Sequence, residues 1–199
     1  MIDIRKKAEE MGVTILEEEN PPDMRGTAFK VEGKWYITVN PDDTEERKNF
    51  TIAHELAEII LYDNNELTID EKHKMANNMA AEFLMPEIDF KKVLFNNDLY
   101  ELKKLYSNCS YEAIARRMLN FIPQVLTIFD NRAIYTRIAS ESFNFPSSPA
   151  KIELEVVEKC YQTRNKHEKT QENLKITGYF IDEGRGVERV ILLTEILDT

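Results

Sequence analysis

Two consecutive helical segments with sharp ends constrain the fold of this chain more than any other feature. The first runs from Asp43, its expected N-cap, to about Tyr62, and its apolar residues recur at helical spacing. The second opens at Thr68, which forms a capping-box pattern with Glu71, and it cannot extend past Pro86. Alanines in this second segment permit close approach to a neighbouring helix. The sequence therefore predicts a packed pair of antiparallel helices.

Shorter segments surround this pair and predict the rest of the fold. The strand-forming segments are 13–16, 27–31, 34–39, 125–129, 133–138, 175–181 and 187–194, and the other helical segments are 1–11, 87–95, 99–106, 110–119 and 151–164. The prediction is an α+β fold in which a small N-terminal β-sheet packs on the two long helices. A helical cluster and a β-rich C-terminal part follow. We expect domains at 1–140 and 150–199, joined by a Ser- and Pro-rich linker at 141–149.

Charge and hydropathy argue against several classes of protein. The net charge of −10 has the wrong sign for a general binder of nucleic acid or anionic membranes. No stretch approaches the roughly 20 apolar residues of a membrane span, and charges near the N-terminus argue against a signal peptide. Cys109 and Cys160 are too far apart for a zinc knuckle and are interpreted as buried thiols. We therefore expect a cytoplasmic protein without membrane contact.

The first long helix carries a chemically suggestive pentapeptide, His54-Glu55-Leu56-Ala57-Glu58. It differs by one letter from H-E-x-x-H, in which two histidines four residues apart bind zinc and the intervening Glu is a general base. Residues at this spacing share a helix face, so two ligand atoms can meet on one ion. Glu58 replaces the second histidine and is itself a competent ligand. A solvated polar face is the alternative interpretation of the same letters.

The wider context resembles the ImmA/IrrE family of metallopeptidases. Residues 50–62 read FTIAHELAEIILY, and residues 76–86 read ANNMAAEFLMP. Family members have F-T-[LI]-A-H-E-[LI]-x-H on one helix and E-x-x-A-N-x-F-A-x-x-L-L-M-P on the next, where the leading Glu is the third metal ligand. The resemblance extends over 26–86, and the rest of the chain is similar only in layout. It implies a zincin-like domain with a metal between the two helices.

Two departures from the family pattern compensate for each other. The alignment places His73 at the position of the third-ligand Glu, and Glu58 at the position of the second His. Together these exchanges preserve two imidazoles and one carboxylate, as in His₂Glu zinc hydrolases. The resemblance thus implies that His54, Glu58 and His73 bind zinc or another divalent transition metal. Glu55 is then the base that takes a proton from water activated by the metal. Asn77, one turn beyond His73, either supports the ligands or serves helix packing.

The resemblance also implies a function. It predicts a zinc-dependent endopeptidase whose substrate is a protein, often a helix-turn-helix repressor encoded beside it on a phage or other mobile element. Cleavage by such an anti-repressor regulates transcription. Two alternatives retain the fold without the chemistry: a catalytically silent regulator that binds its partner through the same groove, and a toxin–antitoxin component.

The remaining features carry less weight. No residue identifies itself as the electrophilic donor of the reaction; Tyr36, Tyr62 and Arg25 are unranked candidates, and His167 lies in a charged, solvated segment. The strand at 34–39 either binds an extended peptide by main-chain pairing or is an ordinary core strand. The segment 99–119 has a helix-turn-helix outline, but the acidic total argues against direct binding of nucleic acid.

Overall fold

The computed structural model describes residues 2–19, 21, 24–141, 145–184 and 186–197. Helices and two sheets are mixed along the chain, so the predicted α+β class is confirmed. The internal contacts divide the chain into two compact units, residues 1–113 and residues 114–199.

The first unit combines a three-stranded sheet with a series of helices. Its elements are α1 (Ile4–Glu10), β1 (Val13–Glu17), β2 (Gly26–Val31), β3 (Lys34–Val39), α2 (Glu45–Leu61), α3 (Ile69–Leu84), α4 (Glu87–Leu94) and α5 (Leu99–Leu105). The helix α6 (Tyr111–Met118) crosses the boundary between the units. The long helix α2 contacts α1, α3, β2 and β3, and is therefore the central element of this unit.

Strand β3 lies in the middle of the sheet, whose order is β1-β3-β2. It pairs in parallel with β1 and antiparallel with β2, so both of its edges are used by the protein itself. Of the two interpretations of 34–39, the structure shows the ordinary core strand, because both edges of β3 are already paired within the sheet. Ile37 and Val39 are fully buried, which explains its apolar sequence.

The N-terminal cap of α3 agrees with the sequence prediction, and that of α2 differs from it by one residue. Thr68 accepts a hydrogen bond from the Glu71 amide at 3.3 Å, and the Glu71 carboxylate accepts one from the Thr68 amide at 2.9 Å, which confirms the capping box. The N-cap of α2 is Thr44 rather than Asp43. The Asp43 carboxylate instead lies between two arginines, 3.6 Å from Arg47 and 3.8 Å from Arg25. An ion pair has replaced the expected cap.

The second unit is an antiparallel sheet with one helix on it. Its elements are β4 (Gln124–Asp130), β5 (Ala133–Ala139), α7 (Lys151–Thr163), β6 (His167–Gln171), β7 (Leu174–Asp182) and β8 (Glu188–Ile196). The strand order is β5-β4-β8-β7-β6. Helix α7 packs on β7 and β8 through a buried cluster that includes Val156, Cys160, Ile176 and Leu192.

Two features of this unit differ from the expectations. Strands β4 and β5 precede the predicted linker, yet they share a sheet with β6–β8. The contacts divide the chain between residues 113 and 114, whereas the sequence predicted a linker at 141–149. Residues 142–144 of that linker lie outside the described residues. Strand β6 was not predicted because its sequence, HEKTQ, is polar throughout and lacks apolar alternation.

Both cysteines are free and buried, as predicted. Burial raises the pKa of the Cys109 thiol to about 12 and that of the Cys160 thiol to about 11. Both side chains therefore behave as small apolar groups in the two cores. Among the described helices, we find none with the length and apolar character that crossing a membrane requires.

Candidate metal centre

The candidate centre lies between α2 and α3. The apolar stripe of α2, with Ile52 and Leu56 fully buried, fixes the rotation of this helix in the core of the unit. His54 and Glu58, one turn apart, are then left on the side that meets α3, where His73 follows the capped N-terminus. The capping box and the apolar stripe thus position all three predicted ligands.

One oxygen of Glu58 is the meeting point of the three side chains. Its Oε1 atom is 3.1 Å from Nε2 of His54 and 2.9 Å from Nδ1 of His73. The two imidazole rings stack with centroids 5.6 Å apart and an interplanar angle of 21°. One ligand atom from each residue lies within 4.8 Å of the others. The three residues could therefore hold one ion, and they are the set that the sequence predicted.

Asn77 contacts this cluster through His54. The Nδ1 atom of His54 lies 3.0 Å from Oδ1 of Asn77, on the next helix. When His54 donates through Nδ1, its Nε2 carries a lone pair that faces the carboxylate of Glu58. Two acceptors that face each other are satisfied by a cation, and imidazole with carboxylate is a donor set that zinc and similar transition metals accept. The residues present therefore fit a metal of this kind.

Glu55 lies beside the cluster but is buried against the sheet. Its side chain accepts a hydrogen bond from the Ala28 amide of β2, and the residue is only 8% exposed. Burial, assisted by the negative charge of Glu58, raises the pKa of Glu55 to about 7, although the Ala28 hydrogen bond opposes this shift. A carboxyl group of this pKa accepts and returns protons near neutral pH.

The other candidates have contacts away from the three ligands. Tyr36 stacks on Phe29 at a centroid distance of 5.6 Å, and Tyr62 packs edge-on against Trp35. His167 belongs to the second unit, where its Nε2 lies 2.9 Å from the Thr163 hydroxyl. These contacts do not identify an electrophilic donor, and Arg25 pairs with Asp43 as described above.

Two basic residues of the helix-turn-helix outline, Lys103 and Arg117, contact other parts of the protein. Lys103 donates to the Glu46 carboxylate at 3.1 Å and to the Ser107 carbonyl at 2.7 Å. Arg117 is only 6% exposed. These two side chains therefore serve contacts within the protein itself.

Sequence reasoning missed the contribution of β2 to the site. Gly26 and Ala28 bring this strand against α2 beside Glu55. A glycine at the start of a short strand was the single available signal, and it does not by itself reveal which helix the strand approaches.

Comparison with known proteins agrees with this geometry. The sequence pattern of peptidase family M78, described as the IrrE N-terminal-like domain, matches residues 8–119. The match covers more than half of the chain, which therefore belongs to this family. A solved structure of a Mycobacterium tuberculosis transcriptional regulator is similar, with a TM-score of 0.66 and 16% sequence identity over 97% of this chain and 68% of the other. At this identity the likeness shows the fold alone. No curated protein matches the chain in sequence.

Family membership confirms the resemblance drawn from residues 26–86 and implies a metallopeptidase that takes a metal. The cluster of His54, Glu58 and His73 is where the described residues could bind it. The matched region contains all three of these residues together with Glu55 and Asn77.

Proposed function

We propose that this chain is a metal-dependent endopeptidase that hydrolyses a peptide bond in a regulatory protein, specifically a helix-turn-helix repressor. The observation that carries the proposal is the convergence of His54, Glu58 and His73 on one point, with Glu55 adjacent in sequence. Family membership favours this function over a catalytically silent regulator or a toxin–antitoxin component, because it implies peptidase chemistry.

The ligands are His54 through Nε2, Glu58 through a carboxylate oxygen and His73 through Nδ1. A divalent transition metal, for which we propose zinc, supplies a Lewis acid that activates water and polarises the scissile carbonyl. Asn77 orients the His54 ring by accepting a hydrogen bond from Nδ1–H, so that Nε2 faces the metal. These four side chains all come from α2 and α3, so the rigid packing of the two helices fixes the geometry.

Glu55 performs the proton transfer. Its carboxylate takes a proton from the attacking water and delivers one to the leaving amine, as a general base and then a general acid. The Ala28 amide of β2 donates a hydrogen bond to this carboxylate. Proton transfer then takes place at the carboxylate oxygen that β2 does not contact. Relative to the family pattern, α2 carries a carboxylate in place of an imidazole, and α3 carries an imidazole in place of a carboxylate. The two changes together preserve the donor set on which this chemistry depends.

The partner of the proposed reaction is a repressor encoded beside this chain, on a phage or other mobile element. Its cleavage relieves repression and so regulates transcription. We place this function in the cytoplasm, because two free, buried thiols are typical of proteins from a reducing compartment.

The test is cleavage of that neighbouring repressor by the metal-loaded protein, followed by electrophoresis and mass spectrometry of the fragments. Glu55→Gln should retain the metal and lose cleavage by about 100-fold or more, because it removes the base. Glu66→Gln changes an exposed glutamate between α2 and α3 and should cleave like the wild type. Full cleavage by Glu55→Gln would refute the proposed role of Glu55.

A further inference from the structure

Strand β2 approaches α2 so closely at Gly26 that no side chain fits there. A Cβ atom at this position would lie 2.3 Å from Cγ2 of Thr51 and 2.7 Å from the carbonyl oxygen of Thr38. The same atom would be 3.8 Å from Cγ of Glu55. Real Cβ atoms do not approach other atoms this closely, so any larger residue would displace the strand from the helix.

This close approach places the next part of β2 over Glu55. Two residues beyond Gly26, the amide of Ala28 donates a hydrogen bond to the Glu55 carboxylate. The donor belongs to the backbone of a strand that pairs with β3 on its other side, so its position is fixed by the sheet. The strand thereby covers the carboxyl group and supplies one hydrogen bond to it.

We infer that Gly26 and the Ala28 amide are positioning groups for Glu55. Gly26 lets β2 reach α2, and the Ala28 amide then holds one side of the carboxylate so that its free oxygen is presented at the metal centre. The inference rests on the proposed function only in taking Glu55 as the proton-transferring group. Its structural part, the control of the Glu55 carboxylate by β2, stands separately.

A matched control exists in the second unit. A Cβ atom at Gly178 of β7 would lie 2.6 Å from Sγ of Cys160 and 3.0 Å from Cγ1 of Val156. Gly178→Ala therefore overpacks a helix–strand contact as Gly26→Ala does, but in the core of the other unit. The chain also offers a buried reference carboxylate in that unit, Glu153, which is 3% exposed.

The first experiment measures the accessibility of individual carboxyl groups in the full-length protein. Carboxylates are labelled with a carbodiimide and glycine ethyl ester at one fixed pH, and the rate at each residue is read by peptide mass spectrometry. Gly26→Ala should label Glu55 about tenfold faster than the wild type, while Glu153 stays slow, because only β2 is displaced. Gly178→Ala should leave Glu55 slow.

A second variant covers the possibility that Gly26→Ala fails to fold. Ala28→Pro removes the amide donor itself, and proline is tolerated in an edge strand where the N–H does not pair with the neighbouring strand. It should also raise the labelling of Glu55 about tenfold. Unchanged labelling of Glu55 in the folded variants would overturn the inference. So would a parallel rise at Glu153, since the effect would then be a general loosening.

A kinetic experiment separates positioning from a merely structural role. With the repressor of the proposed function as substrate, both variants should lose kcat by at least about tenfold while KM and metal content stay at wild-type values. A rise in KM or a loss of metal, with kcat unchanged, would overturn the role of the two groups. If the wild-type protein cleaves nothing, the proposed function fails, and the labelling rates still decide whether β2 positions Glu55.

Discussion

Asn77 contacts the nitrogen of His54 that faces away from Glu58. Its side-chain oxygen lies 3.0 Å from Nδ1, which leaves Nε2 directed at Glu58. A histidine that binds a metal through one nitrogen is commonly held at the other by such a hydrogen bond, which fixes both the ring and its tautomer. The role we propose for Asn77 is therefore to orient the His54 ring, without being a ligand itself.

Asn77→Ala should weaken metal binding by about 10- to 100-fold, because the His54 ring loses the partner that orients it. The affinity is measured by competition with a chromophoric chelator. Asn78→Ala is the matched control, since Asn78 is the next residue of the same helix and is also exposed. Equal affinities for the two variants would show that the Asn77 contact does not orient the ligand.

The cluster of candidate ligands was predictable from the sequence, but the environment of Glu55 was not. Helical spacing and the family pattern depend on neighbours in sequence, so they indicate His54, Glu58 and His73 together. The hydrogen bond from Ala28 and the close approach at Gly26 depend on where a strand lands on a helix. This is a tertiary contact between residues almost thirty positions apart, and no local pattern encodes it.

The N-terminal cap of α3 connects the stability of that helix to the candidate metal centre. Thr68 and Glu71 satisfy each other's backbone amides, and His73 lies in the turn that follows. Fraying of this end would take His73 away from the cluster, because more than half of its side chain is exposed to solvent.

Thr68→Ala should lower the free energy of unfolding by about 1 kcal/mol, the usual cost of a lost N-cap. We expect metal affinity to fall about fivefold as well, because metal binding must then also order the first turns of α3. Urea unfolding and metal titration measure the two effects. Thr68→Ser preserves the cap and should restore both values; if it behaved like Thr68→Ala, the hydroxyl would not be the cause.

A buried ion pair joins the sheet and helix of the second unit. The two terminal nitrogens of the Arg137 guanidinium group each lie 3.2 Å from one carboxylate oxygen of Glu153, at the start of α7. Each of the two side chains is at most 6% exposed. Thr194 donates to Glu153 at 2.6 Å, and the Ala150 amide does so at 2.7 Å. The pair is therefore fully hydrogen-bonded, and removing one partner would leave the other charge buried.

Arg137→Met should destabilise the protein by about 3–5 kcal/mol, the cost of an unpaired buried charge. Arg137→Met combined with Glu153→Met should be less destabilised than Arg137→Met alone, because neither charge then remains. Denaturant unfolding of both variants measures this difference. A double variant less stable than the single one would contradict the account of the pair.

The predictability of the other elements varied with their burial. The long helices were predicted to within a few residues, because caps and apolar periodicity agree there. The N-cap of α2 shifted by one residue, since Asp43 and Thr44 are both good caps and the nearby arginines select Asp43 for an ion pair. Strand β6 was missed because an exposed edge strand needs no apolar face.

Charge is distributed unevenly over the whole molecule. Residues 1–113 carry the entire net charge of −10, and residues 114–199 are neutral. The unit that contains the candidate metal centre is therefore strongly acidic. A DNA-binding repressor is basic on its binding surface, so long-range attraction should favour its encounter with this unit.

Cleavage of such a repressor should consequently depend on ionic strength. Raising the salt concentration from about 50 to 500 mM shortens the Debye length and should lower kcat/KM on the order of tenfold. The loss should appear in KM and not in kcat, because screening affects encounter and not the chemical step. A kcat/KM that does not change with salt would show that the charge of the first unit has no part in substrate capture.

The central claim is that His54, Glu58 and His73 form one metal site, and elemental analysis tests it most directly. Protein purified without chelator or affinity-tag histidines should contain about one equivalent of zinc or another transition metal. His73→Ala should lose it, whereas His167→Ala, which changes the one histidine outside the cluster, should retain it. No metal in the wild-type protein, or the same metal content in His73→Ala, would contradict the account.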